Sequence, residues 1–136
     1  MANNFNVRKV TKIWTATNAQ LNEALTPIFR VNYGDIVLHT VARVIVASDR
    51  TTPKVFLGDS AVTNRYLTDA EIDIANVALV TGSGANDLAG AGYYVYQDVA
   101  NVNTIDVSFT GGAADGTLAN KPQVRFTAWI LDAEPV

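Results

Sequence analysis

The run from Ile36 to Ala47 constrains this chain more than any other segment. Six of its twelve residues are Val or Ile, and Thr40 is also branched at Cβ. Such side chains are stiff at χ1 and suit a pleated surface better than a helix. A buried helix has similar hydropathy, because a short apolar run carries no decisive period; the β-branching favours a strand. At about 3.3 Å per residue the run stretches roughly 40 Å, long enough to cross a domain. Alternation puts Ile36, Leu38, Thr40, Ala42, Val44 and Val46 on one face and Val37, Val41 and Ile45 on the other, where His39 and Arg43 interrupt them. The first face reads as core, the second as a half-apolar surface open to a partner.

Two later segments alternate more cleanly. Ile105, Val107 and Phe109 oppose Thr104, Asp106, Ser108 and Thr110. Val124, Phe126, Ala128 and Ile130 oppose Gln123, Arg125, Thr127, Trp129 and Leu131. This period marks sheets with one dry face. Trp129 and Leu131, two large apolar groups on a nominally wet face, call for cover from another element or subunit. Further strands are expected at Val7–Thr15, Ile28–Val31, Val55–Gly58, Glu71–Leu79 and Tyr93–Gln97, and one helical turn at Asn18–Leu25, with Asn18 as its cap. Clusters of Gly, Asn, Asp and Pro punctuate them, as at Asn32-Tyr33-Gly34-Asp35 and Gly58-Asp59-Ser60. The expectation is an all-β chain of about eight strands, a two-sheet antiparallel β-sandwich of jelly-roll type. Its 136 residues suit one domain, residues 7–136, preceded by an arm, residues 1–6, that is polar around Phe5.

Composition narrows the chemistry. There is no Cys and one His, so neither a disulfide, a Cys-based zinc site nor a multi-His metal site is available within one chain. No metal or cofactor is expected. No apolar run reaches the roughly 18 residues of a membrane-spanning helix, and residues 1–8 lack the apolar core of a signal peptide. A net charge of −3 argues against nucleic acid as a main partner, because phosphate recognition needs a clustered positive surface.

The glycine-rich stretch Gly82–Gly92 has Asp87 where a dinucleotide fingerprint needs its third Gly, and it lacks the Lys of a P-loop. It reads as a loop between strands. The nucleophile elbow Gly-x-Ser-x-Gly is absent, and His39 lies within the long strand, where packing is the simpler role. Asp69, Glu71 and Asp73 alternate, so a strand would project all three from one face. A bound cation would relieve their repulsion, but a turn at Asp69 would leave only two together. Tyr93, Tyr94, Tyr96, Trp14 and Trp129 form an aromatic-rich set, of which at least half is expected to pack in the core.

The residues Leu25 to Leu38 resemble an F-x-I-P-x-G-x-x-V element of small structural proteins of tailed bacteriophages, with Asn32 where that pattern has Pro. A T-P-x-V-x-x-G-D element is matched by Thr52 to Asp59, and a Y-L-T-D-A-x-I-D element by Tyr66 to Asp73. Ile105–Gly112 and Val124–Ile130 look like the closing hairpin of the same proteins, so the likeness spans residues 7–131. What it implies is a capsid decoration (cement) protein or a related head or tail component. Such a protein has no catalytic residues, binds the major capsid protein on the virion surface, and assembles as a homotrimer. The expected contact residues are Phe5, Trp14, Arg43, Tyr93, Tyr94, Trp129 and Leu131. The alternative is a phage tail or receptor- and carbohydrate-binding β-sandwich module that uses the tyrosines and the acidic cluster.

Overall fold

The computed structural model describes residues 6–16, 23–48, 52–67, 72, 74–75, 79–82, 94–96, 104–110 and 121–132. They form β1 (Val7–Thr15), β2 (Glu23–Arg30), β3 (Ile36–Val46), β4 (Lys54–Gly58), β5 (Leu79–Gly82), β6 (Tyr94–Val95), β7 (Thr104–Thr110) and β8 (Gln123–Leu131). The described residues form strands and no helix, and these strands make two antiparallel sheets. In the larger, β8 lies between β1 and β3, while β5 and β6 pair with different stretches of β3. In the smaller, β7 lies between β2 and β4.

One core serves both sheets. Trp14, Val44, Phe126 and Ile130 come from the larger, and Phe29, Val55, Leu57, Ile105 and Phe109 from the smaller; all are buried. Trp14 meets Phe109 edge-on, with ring centroids 5.6 Å apart. Pro27 sits in β2, an edge strand of the small sheet, where the N–H it lacks costs the ladder least.

The long strand differs from simple alternation. Its register against β8 slips between Val37 and His39, a β-bulge. Val37 therefore joins Thr40, Ala42 and Val44 among the buried residues, while Leu38 is half exposed. One extra residue reverses the faces on either side of it, which is what a bulge does to a period of two.

Three other expectations need correction. Residues 23–25 belong to β2, not to a helical turn, because Glu23 pairs with Phe109 of β7, with a register shift before Thr26. The rest of that turn, residues 18–22, lies outside the described residues. The segment proposed as a strand over Glu71–Leu79 has a turn at residues 74–75. There the Ile74 amide donates to the Ile72 carbonyl at 2.9 Å, and both isoleucines are buried, while residues 71, 73 and 76–78 lie outside the described residues. Finally, the polar face of β7 is not wet, since Asp106 and Ser108 are buried.

Candidate functional site

A charged cluster after β4 is the first place to look for chemistry, and it proves structural. Asp59 is fully buried. Its Oδ1 accepts from the amides of Ala61 and Val62 at 3.1 and 2.9 Å. Its Oδ2 accepts from Arg65 Nε at 2.6 Å and from the Tyr66 hydroxyl at 3.4 Å. Four donors occupy both oxygens, so the carboxylate is spent holding the turn. Gly58 is required beside it: a Cβ there would run into the main chain of Val62 and Thr63. The Gly-Asp and Tyr-Leu pieces of the sequence motifs are thus two sides of one buried knot.

A second charged cluster ties the margins of the fold. Arg8 donates to Asp132 at 2.6 Å, to the Arg30 carbonyl at 2.7 Å and to Asp35 at 3.4 Å. A hollow of about 150 Å³ lies beside it, lined by Lys12, Pro27, Ile28, Phe29, Arg30 and Thr104. Small-molecule sites usually enclose roughly 300–1,000 Å³, so it is too small to hold a typical substrate. Among the described residues, no three His, Asp or Glu side chains stand close enough to hold a metal ion.

The remaining feature is the outer face of the large sheet. Because Trp14, Phe126 and Ala42 point into the core, their neighbours along β1, β8 and β3 point away from it. Register then sets them in cross-strand rows. Lys9, Trp129 and His39 form one row. The Lys9 ammonium lies 5.7 Å from the Trp129 ring centroid, and the His39 ring packs at 5.5 Å on the same indole. Thr11 and Thr127 form the next, their hydroxyls 3.1 Å apart. Ile13, Arg125 and Arg43 form the third, which makes two arginines direct cross-strand partners.

This placement sorts the residues expected to make contacts. Arg43 is exposed, and Trp129 and Leu131 are half-buried on the same face. Trp14 is a correction: at 4% exposure it is core, behind the sheet. Tyr94 begins β6. Phe5, Tyr93 and the acidic trio Asp69, Glu71 and Asp73 lie outside the described residues. Tyr96 is buried, with its amide donating to the Asp35 carbonyl at 2.8 Å. Sequence reasoning missed Lys9, Ile13 and Arg125 as members of the face. The alternation of β8 marks Arg125 as outward-facing, but only register shows that it lands opposite Arg43.

The two-sheet architecture has a relative among solved structures. A chain of the cyanophage Pam1 capsid asymmetric unit superposes with a TM-score of 0.61. It covers 94% of this chain and 86% of its own length, at 15% sequence identity. That is a likeness of fold. A chain from Bacillus endospore appendages, disulfide-linked pili, aligns over 98% of this chain and 91% of its own at 18% identity; its TM-score of 0.41 is too low to carry an argument. No protein-family profile matches the sequence, and no curated protein matches it.

Proposed function

We propose that this chain is a structural protein of a tailed-bacteriophage virion, and within that class a capsid decoration (cement) protein. It acts as a homotrimer on the outer surface of the shell, bound to the major capsid protein, and catalyses nothing. The observation that carries this reading is the superposition on the cyanophage capsid chain, which spans nearly the whole of both chains. At 15% identity this is analogy at the level of fold, and the motifs of Leu25–Leu38, Thr52–Asp59 and Tyr66–Asp73 support it independently.

The strand order supports a jelly-roll sandwich. β1 pairs with β8, β2 with β7, and β3 with β5 and β6. That is the pattern of one long antiparallel ribbon folded back on itself. Its halves then meet a second time, β3 against β8 and β4 against β7. A ribbon rolled in this way has two packed sheets with Greek-key connections.

A rigid block of this kind stabilises a shell by mass action. It binds the assembled lattice and not its free parts, which adds about 2.7 kcal/mol per site at a free concentration one hundred times Kd. Closed threefold symmetry lets modest contacts act together. The test is a light-scattering mass for the purified protein, followed by co-sedimentation with expanded and with immature shells. A trimer that pellets only with expanded shells is the expected result. A monomer that pellets with neither overturns the proposal.

A further inference from the structure

We infer that the outer face of the large sheet docks a partner protein whose matching surface carries carboxylates set among apolar side chains. The inference stands on the sheet alone and does not depend on the capsid assignment.

The charge pattern is one-sided. β1, β3 and β8 together contain no Asp and no Glu, in a chain whose net charge is −3. Their outer face presents Lys9, Arg43 and Arg125, all exposed. Arg43 and Arg125 are register partners, and like charges directly opposite each other destabilise a sheet. A folded protein gains nothing from that arrangement by itself. A carboxylate arriving between the two guanidinium groups would reverse its sign, with paired N–H···O contacts available to each Arg.

The apolar content decides what kind of anion is fitted. Ile13 is 52% exposed, Val7 51% and Ile45 36%, and they flank the cations together with Trp129 and Leu131. Nucleic-acid interfaces are far more positive and more polar than this. A protein interface has this mixture: an apolar, aromatic centre with Arg enriched around it. A second copy presenting the same face is disfavoured, since two cationic faces repel.

Size sets the strength. Three strands at about 4.8 Å spacing and nine residues at about 3.4 Å give a face of roughly 400 Å². A stable complex buries about 800 Å² on each partner, so one copy alone binds weakly. Several copies held together would raise the net affinity without new contacts.

The test uses the full chain, by titration calorimetry, with a glutamate-rich copolymer of glutamate and tyrosine as the acidic, partly apolar polypeptide. Polyglutamate, duplex DNA and vesicles containing phosphatidylserine are titrated in parallel. The copolymer is expected to bind most tightly, and the double variant R43Q/R125Q to bind it at least about tenfold more weakly. The charge-matched variant K12Q/R30Q, altered beside the hollow and away from the face, is expected to bind like the parent. The thermal midpoint of R43Q/R125Q is expected not to fall, and its light-scattering mass to equal the parent's. Absence of copolymer binding, tighter binding of DNA or vesicles, or equal losses in the two double variants would each overturn the inference. So would a smaller mass for R43Q/R125Q, which would make the face a contact between copies of this chain. No capsid enters the assay, so its failure is separable from failure of the decoration role.

Discussion

Asp59 shows how a single side chain can organise a turn and still have no chemistry to offer. It is fully buried and receives two amides, a guanidinium and a phenol. Removing one partner of a buried ion pair strands the other in a medium that solvates it poorly. Asp59→Ala is therefore expected to destabilise the fold by about 3–5 kcal/mol, read as a lower urea midpoint at unchanged slope. Trp14 is the opposite case. Its ring is core, yet among the described residues no group accepts from its buried indole N–H. An unmet buried donor costs roughly 1–3 kcal/mol, which Phe would recover while giving up some volume. Trp14→Phe is expected to stay within about 1 kcal/mol of the parent, whereas Trp14→Ala should lose about 3–5 kcal/mol to the cavity. The same pair of denaturation curves checks both, and equal losses for the two variants would contradict the account.

At the level of strands, the fold depends on matching large groups to small ones across the ladder. Ala42 on β3 is the register partner of Phe126 on β8, and Thr40 the partner of Ala128. All four are buried. Ala42→Leu adds volume where Phe126 already fills the space, and is expected to cost about 1–3 kcal/mol in thermal or urea unfolding. This level also shows what the sequence could tell. The bounds of β1 were legible, and β8 was legible in its faces as well, because Val124, Phe126, Ala128 and Ile130 alternate with Gln123, Arg125 and Thr127. β3 was legible as a strand but not in its faces, because no residue type announces the bulge at 37–39. Ile72 and Ile74 imitate a strand by their spacing, and both are indeed buried. The Ile74 amide instead donates to the Ile72 carbonyl, and the Ile74 carbonyl accepts from the Ser48 amide at 2.9 Å. Residues 23–25 looked helical through the spacing of Leu21 and Leu25, a local signal overruled by pairing with β7. The candidate face was half legible. Arg43, Trp129 and Leu131 follow from alternation, whereas the convergence of Lys9, His39 and Trp129 needs three strands in register, which no local pattern contains.

For the molecule as a whole, the separation of charge matters more than its sum. Three neighbouring strands carry cations only, so the acids that make the chain net negative lie elsewhere, Asp35, Asp59 and Asp106 among them. We propose that the arm expected at residues 1–6 contributes to binding the shell. Deleting Met1–Phe5, which spares Asn6 and the bond its carbonyl accepts from the Asp132 amide, is expected to weaken co-sedimentation with expanded shells. The thermal midpoint of the free protein should not move, since the core residues described above all follow the deleted segment. Undiminished pelleting would remove the segment from the mechanism.

The pairing of β1 with β8 has a mechanical consequence. Val7 faces Leu131, so the start of the first strand and the finish of the last meet at one corner, closed by Asn6, Arg8 and Asp132. Tension applied between residues 6 and 132 would therefore load the rungs of that ladder singly and in order, from this corner toward Trp14 and Val124. A tether drawn from those two points should open like a zip at low force, although a shove spread over the broad side of the same sheet would have to strain many rungs together.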